Sequence, residues 1–168
     1  MKKFLLATLT LVLLMTPLSA VQAQEESDPR YIHLIFSSDI VYVNADDYLV
    51  LRHGWSANTR GLVVAFLTSI NTELDIGSEP TYFADGKDQY WGEIEYNEGD
   101  GDQHGNKAGG WSVNWYYPLG NLEPGEYEVA FRYWMDHPVT DGNDNDGDGH
   151  PDKPGVYNLE RTFTIIVE

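Results

Sequence analysis

Three segments near the C-terminus alternate apolar with polar side chains, and this period of two constrains the fold more than any other feature of the sequence. The segments are Trp111–Tyr117, Glu126–Trp134 and Tyr157–Val167. Because a strand points successive side chains to opposite faces, one face of each segment is predicted to be buried. The side chains predicted to face inward are Trp111, Val113, Trp115, Tyr117, Tyr127, Val129, Phe131, Tyr133, Leu159, Phe163, Ile165 and Val167.

Short β-branched and aromatic runs earlier in the chain predict further strands, separated by turn-forming residues. These runs are Tyr31–Phe36, Ile40–Val43, Tyr48–Arg52, Gly61–Ile70 and Tyr90–Tyr96. About eight strands joined by turn-rich loops predict an all-β fold, an antiparallel β-sandwich that occupies residues 31–168 as one domain.

The run Gly61–Ile70 is the most continuously apolar part of the chain after residue 30. Its length favours a strand that is buried on both faces. A helix is the alternative, because Thr59 could lead into one and apolar side chains recur at intervals of four from Leu62. Asn71–Pro80, which contains a glycine and a proline, is predicted to be a loop or a weak edge strand.

The N-terminus has the layout of a secretory signal peptide. Residues 1–23 begin with two lysines, continue with the apolar run Phe4–Met15 and end in small residues, so cleavage is predicted after Ala23 or, as the alternative, after Ala20. The apolar run is short for a bilayer span of about 20 residues. We therefore expect a secreted protein, extracellular or periplasmic, with a flexible entry segment at residues 24–30 and no membrane span after cleavage.

The chain is strongly acidic, with 10 Lys and Arg against 27 Asp and Glu and a formal net charge of −17. Such a surface repels nucleic acid and anionic membranes, and it attracts cations and basic partners. There is no cysteine, so an exported domain of this size must be held together by its core, with a bound metal as a further means.

The densest acidic stretch is residues 141–155, DGNDNDGDGHPDKPG. Within it, residues 144–152 have the form Asp-x-Asp-x-Asp-Gly-x-x-Asp. Alternate carboxylates point inward as such a loop curls, and the glycine at the sixth position lets the chain turn sharply around an ion. Because unpaired carboxylates repel one another, a hard divalent cation would convert that repulsion into a folded loop. The pattern predicts a calcium site.

This loop resembles the thrombospondin type 3 repeat and, over its first six residues, the EF-hand loop. The side-chain ligands that the resemblance implies are Asp144, Asp146, Asp148 and Asp152. A backbone carbonyl near His150 would be a further ligand, and Asp141 and Asn143 would complete the shell or mark a second, weaker ion. The loop departs from the EF-hand at its twelfth position, which is Gly155 instead of a bidentate glutamate.

A second acidic loop, residues 98–105, also alternates acids. It has Gln103 where the turn glycine belongs. We therefore expect a solvated loop, with the alternative that it lends one ligand to the first site.

No catalytic pattern is present. The five histidines, at positions 33, 53, 104, 137 and 150, lack the spacing of a metal site, so structural or solvent roles are expected for them. Nucleophile-elbow, zinc-protease and phosphate-loop motifs are absent. Paired acids would suit a glycan hydrolase, but an acidic chain supplies such pairs by chance. We expect a protein that is not an enzyme.

The abundant aromatic residues suggest carbohydrate binding as an alternative, since sugar rings stack on exposed tryptophan or tyrosine. Most of these side chains belong to the predicted inward faces. Trp134 and Tyr116 are out of phase with the inward sets of their strands. They are therefore the two aromatic side chains predicted to be exposed and available to a ligand.

The segment Leu122–Val129 resembles the Leu-x-Pro-Gly-x-Tyr-x-Val turn and strand of fibronectin type III and related immunoglobulin-like sandwiches. In those domains the tyrosine lies at a corner and braces two strands. Pro124 and Gly125 suit the two central positions of a type II turn, and Tyr127 would open the following strand facing inward. The resemblance implies an immunoglobulin-like β-sandwich.

These features together predict a secreted, calcium-binding interaction module that is not catalytic and has an unidentified protein or glycan ligand. A carbohydrate-binding module with structural calcium is the alternative. A glycan-active hydrolase is the least favoured of the three.

Overall fold

A computed structural model of the chain describes residues 28–98, 109–144 and 148–168, and within these ranges the chain forms nine strands and one helix. The elements are β1 (Arg30–His33), β2 (Ile40–Val43), β3 (Leu49–Ala57), α1 (Arg60–Leu67), β4 (Ile70–Ile76), β5 (Tyr82–Asp85), β6 (Glu95–Asn97), β7 (Gly110–Gly120), β8 (Gly125–Met135) and β9 (Asn158–Val167). The predicted signal peptide, Asp146 and residues 99–105 of the second acidic loop lie outside the described residues.

The strands form two sheets. The four-stranded sheet has the order β1-β3-β7-β6, and the five-stranded sheet has the order β2-β9-β8-β4-β5. Inward side chains from both sheets, such as Leu51 and Trp115 of the first and Phe131 and Ile165 of the second, belong to one buried cluster. The all-β prediction is therefore confirmed, and the two sheets pack face to face across a shared core.

Two strand pairs differ from the antiparallel prediction. β1 runs parallel to β3, and β2 runs parallel to β9, so both sheets are mixed. Side chains alternate between the two faces in parallel and antiparallel strands alike, which is why the sequence pattern did not distinguish them. A turn after β1, in which the Ser37 N–H donates to the His33 carbonyl at 2.9 Å, separates two short edge strands that join different sheets.

The apolar run predicted as a strand over Gly61–Ile70 forms α1 instead, so the favoured interpretation was wrong and its helical alternative correct. The Thr59 side chain accepts a hydrogen bond from the Leu62 N–H at 3.4 Å and caps the helix. Val63 and Phe66 are buried, one helical turn apart. They belong to a second core cluster with Val113 and Met135, so α1 covers one end of the space between the sheets.

Other boundaries also differ from the prediction. Asn71–Pro80 is mostly β4, an interior strand of the five-stranded sheet that pairs with β8 along its whole length and with β5 over Asn71–Leu74. Most of the predicted strand Tyr90–Tyr96 lacks regular pairing, and β6 begins only at Glu95. In the described part of the chain, α1 is the one helix, and its 8 residues are too few to cross a bilayer.

The corner before β8 keeps its tyrosine contact but not the predicted turn. The Tyr127 hydroxyl donates to the Glu123 carbonyl at 2.9 Å, and Tyr127 packs against the main core. Gly125 does not have the positive φ that a type II turn requires at its third residue. It begins β8 directly, so the prediction of a type II turn at Pro124–Gly125 was wrong.

Candidate functional site

The acidic loop joins β8 to β9 and is closed at its base by backbone pairing. Val139 and Gly155 exchange two N–H to carbonyl hydrogen bonds, each 2.8 Å long. Just inside this pair, the Thr140 hydroxyl donates to the Asp152 carbonyl at 3.0 Å. Val139 is buried in the second core cluster. The two ends of the loop are therefore anchored to the core.

The first turn of the loop packs against the residues that precede α1. The Asn58 N–H donates to the Asp141 carbonyl at 2.8 Å, and the Asn58 side-chain amide donates to the Gly142 carbonyl. Gly142 has φ +74°, and a Cβ there would lie 2.8 Å from the Leu62 side chain. A glycine is required at this position both by backbone conformation and by space.

Aspartate carboxylates fold the interior of the loop. The two oxygens of Asp144 accept hydrogen bonds from the N–H groups of Asp148, at 3.0 Å, and Gly149, at 2.7 Å. Gly149 has φ +87°, which is the left-handed conformation that a sharp turn at the sixth position of the motif requires. The Asp148 carboxylate in turn accepts from the His150 N–H at 2.8 Å.

A backbone contact brings the ninth position of the motif back beside its start. The Asp152 N–H donates to the Asn143 carbonyl at 2.7 Å, and the Asp141 carboxylate accepts from the Asn143 N–H at 2.8 Å. Asn143 is only 8% exposed. Asp141, Asn143, Asp144, Asp148 and Asp152 therefore belong to one curled loop, in which His150 lies on the exposed side.

No group of three or more His, Cys, Asp or Glu in metal-binding arrangement occurs among the residues that the structure describes. Asp146, the third position of the motif, lies outside those residues.

Trp134, predicted to be exposed, is half-buried. It lies on the outer face of the five-stranded sheet, since its neighbours Tyr133 and Met135 pack into the core. The Arg132 guanidinium is 4.6 Å from the centre of the Trp134 ring, and Arg132 also lies 3.6 Å from the Glu73 carboxylate. The tryptophan face is thus already in contact with a cation.

Tyr116 is likewise half-buried, and it lies on the outer face of the other sheet. Its ring is 5.7 Å from that of Tyr31 and 5.9 Å from the Arg52 guanidinium. Burial raises the pKa of Tyr116, an effect that Arg52 partly opposes. Because Tyr116 and Trp134 lie on opposite outer faces, they do not form one stacking surface. Among the residues that the structure describes, the most exposed aromatic side chain is instead Phe36, at 76%.

The sequence patterns did not identify His53 as a core residue. It is 1% exposed and lies among the rings of Trp91, Trp115, Phe131 and Tyr133, with centroids 5.1 to 6.3 Å away. Its Nε2 has no hydrogen-bond partner among the described residues. Burial, assisted by the charge of His33, lowers the pKa of His53 to about 3. His53 is therefore neutral near neutral pH.

Comparison with protein-family models, with curated proteins and with solved structures gives no match for this chain.

Proposed function

We propose that this protein is a secreted interaction module, not catalytic, whose loop at residues 141–155 is ordered by calcium. The observation that carries the proposal is the Asp144 carboxylate, which closes a turn on Asp148 and on Gly149 at the sixth position of the motif. The remaining proposed ligands are Asp146, Asp148, Asp152, the carbonyl near His150, and Asp141 with Asn143. Asp146 is included on its spacing in the sequence alone.

Electrostatics support a divalent cation in this loop. Several carboxylates are held within a short segment of a chain whose formal net charge is −17. Their mutual repulsion opposes the folded loop, and a bound cation would reverse the sign of that contribution. The loop is hydrogen-bonded at its base through Val139 and Gly155 and contacts Asn58, just before α1. An ordered loop would therefore also stabilise α1 and the adjacent end of the sandwich.

For the fold we propose an immunoglobulin-like sandwich. We name β1, β3, β4, β5, β6, β7, β8 and β9 as A, B, C, C′, D, E, F and G. The sheet orders are then A-B-E-D and G-F-C-C′, with β2 as an additional edge strand beside G. Apart from β2, these are the orders of immunoglobulin-like domains. The Tyr127 contact at the start of β8 supports the assignment, since such domains have a tyrosine corner there. The parallel pairing of β1 with β3 and the lack of cysteine are departures from that class. A fold of this kind does not specify an activity.

Calcium at about 100 times its dissociation constant is expected to raise the free energy of unfolding by about 2.7 kcal/mol, because the ion binds the folded loop and not the unfolded chain. Differential scanning calorimetry of the mature protein, with calcium or with chelator, measures this effect. In Asp144→Asn, calcium should raise the free energy of unfolding by less than in the wild type, because the site loses a charge and an oxygen that accepts an N–H.

Asp46→Asn is the matched control, since Asp46 is exposed and far from the loop in sequence. It should keep the full response to calcium. An equal thermal midpoint in chelator and in millimolar calcium, together with no heat of binding, would rule out the calcium proposal.

The alternative, a carbohydrate-binding module, depends on Trp134 and Tyr116. Because these side chains lie on different outer faces, we expect no retention of the protein on insoluble polysaccharides, with or without a chelator. Pull-down on a panel of such glycans tests this. Retention that disappears in Trp134→Ala but persists in Tyr116→Ala, or the reverse, would favour the glycan function and identify its face.

A further inference from the structure

An open cavity of about 500 Å³ lies between the two sheets, at the end of the sandwich formed by the β4–β5 turn and the β7–β8 connection. The four-stranded sheet contributes Tyr117 and Leu119 to its walls. The five-stranded sheet contributes Leu74, Tyr82 and Tyr127. Small-molecule sites in proteins have volumes of about 300–1,000 Å³, and this cavity falls within that range. Its lining combines aromatic and aliphatic side chains with polar groups of the β4–β5 turn and of β8.

Two of the three tyrosines in the walls, Tyr82 and Tyr127, are held in place by hydrogen bonds. The rings of Tyr82 and Tyr117 are 4.8 Å apart at 56°. The Tyr82 hydroxyl donates to the Asp88 carboxylate, and the Tyr127 hydroxyl donates to the Glu123 carbonyl. With these two hydroxyls satisfied by protein acceptors, the rings present pre-positioned aromatic surface to the cavity.

The charge around the cavity is entirely negative. Of the described residues that line it, Glu79 and Glu126 carry charge, and none is lysine or arginine. Both glutamates are exposed and lie at the rim. Burial raises the pKa of Tyr117, and the neighbouring Tyr90, Glu79 and Asp88 raise it further. An anionic ligand would therefore be repelled, whereas a cation would be attracted both to the rim and to the ring faces.

We propose that this cavity binds an organic cation, an alkylammonium or guanidinium group on an apolar stem. The stem packs against the partly exposed Leu119 and Leu122, the cationic head lies near the tyrosine rings, and Glu79 and Glu126 supply the opposite charge. Such a group occurs on free amines and on the lysine or arginine side chains of a partner protein. A basic partner is also the kind that a chain of net charge −17 attracts over longer distances.

The cavity lies at the opposite end of β8 from the acidic loop. It is lined by Glu126 and Tyr127 near the start of β8, whereas the loop follows Met135 at the end of that strand. A strand rises about 3.3 Å per residue, so the two sites are roughly 30 Å apart. Cation binding in the cavity should therefore not require calcium, and the two proposals can fail independently.

Isothermal titration with choline, at low ionic strength, tests the proposal directly. Its uncharged analogue, in which a tert-butyl group replaces the trimethylammonium group, has nearly the same shape. Because ring faces and rim glutamates both act on the charge, choline should bind on the order of tenfold more tightly than the analogue. Equal binding of the two compounds would overturn the proposal, as would the absence of binding both by choline and by the arginine peptide described below.

Rim variants locate the site. Glu79→Gln and Glu126→Gln should each weaken choline binding about two- to fivefold, as expected for partly solvated charge pairs. Glu128→Gln is the matched control, because Glu128 is exposed on the same face of β8 but does not line the cavity. If Glu128→Gln weakens binding as much as the rim variants do, the effect is one of net charge and the site assignment is wrong.

A short arginine peptide and the same peptide with neutral citrulline distinguish the two sources of the cation. A partner side chain is supported if the arginine peptide binds more tightly than choline. The citrulline peptide should then bind more weakly than the arginine peptide, and Glu79→Gln should weaken the binding of the arginine peptide. Tighter binding of choline supports a free amine. Repeating both titrations in chelator should leave the affinities unchanged, and this result is independent of whether the acidic loop binds calcium.

Discussion

Acidification from about pH 7 to about pH 5 is expected to lower the free energy of unfolding by about 2 kcal/mol through His53 alone, and acidification to about pH 3 by about 4 kcal/mol. The folded protein holds the pKa of His53 at about 3, against 6.5 for an ordinary histidine. Between these two values the unfolded chain binds a proton that the folded protein excludes. The stability that neutral His53 contributes to the folded protein is therefore complete above about pH 6.5, and it is lost progressively as the pH falls toward about 3.

The cause is burial, since His53 is enclosed by aromatic rings that cannot solvate an imidazolium ion. His53→Leu, which has a similar volume, should remove this pH dependence and also remove an unpaired polar nitrogen from the core. Urea unfolding followed by circular dichroism at several pH values measures both effects. If wild type and His53→Leu lose stability in parallel between about pH 7 and pH 4, another group is responsible.

Trp115→Ala is expected to lower the free energy of unfolding by about 3–5 kcal/mol, the usual range for truncation of a buried aromatic side chain. Trp115 is fully buried on β7. Its ring contacts that of His53 in the same sheet and that of Tyr82 in the other sheet. Its Nε1 donates to the Asp88 carboxylate at 3.1 Å. The variant would lose these contacts and leave a cavity. The paired strands around Trp115 hold their positions, so they cannot move together to fill it.

Trp134→Ala is the matched control for this variant, because it is the same substitution on the half-buried outer face of a sheet. It should lower stability by only about 1 kcal/mol, because the half-buried ring loses mainly its contact with Arg132 and leaves no internal cavity. Urea denaturation at neutral pH compares the two. Similar losses in both variants would contradict the inward assignment of Trp115 and the position of the core.

Trp115 and Asp88 also connect the core to the proposed cation site. The Asp88 carboxylate accepts from Trp115, from the Tyr82 hydroxyl and from the Tyr90 N–H, the last at 2.8 Å. One carboxylate therefore fixes the aromatic residues that lead from the buried core to the cavity wall. This arrangement gives the cavity a rigid aromatic side, which reduces the ordering cost of ligand binding.

Strand positions with clear alternation could be read from the sequence. The inward faces of β7, β8 and β9 are the predicted ones, because a period of two follows directly from strand geometry. The helix α1 was assigned to a strand, because an uninterrupted apolar run has no period and suits either structure. The strand β4 contains Asn71, Thr72 and Glu73, whose polar character resembles a loop, and it is a strand because two neighbours pair with it.

The candidate sites likewise differ in whether they could be predicted from the local sequence. The acidic loop is a local feature, and its spacing alone drew attention to Asp144 and to Gly149. The exposure of Trp134 was overestimated, because no sequence pattern indicates that Arg132 lies against its ring. The cavity was not predicted, since it is bounded by residues from β4, β5, β7 and β8 that become neighbours only after folding.

The sequence by itself determined the β class, the buried faces of its alternating strands and the aspartate spacing of the 141–155 loop, because each depends on residues close together in the chain. The tertiary structure decided the parallel pairing of β1 with β3 and of β2 with β9. It also decided the helical state of residues 60–67, the burial of neutral His53 and the cavity with its acidic rim. Each of these depends on which surfaces meet across the core. Burial and pairing between distant segments set that outcome, and local periodicity does not encode it.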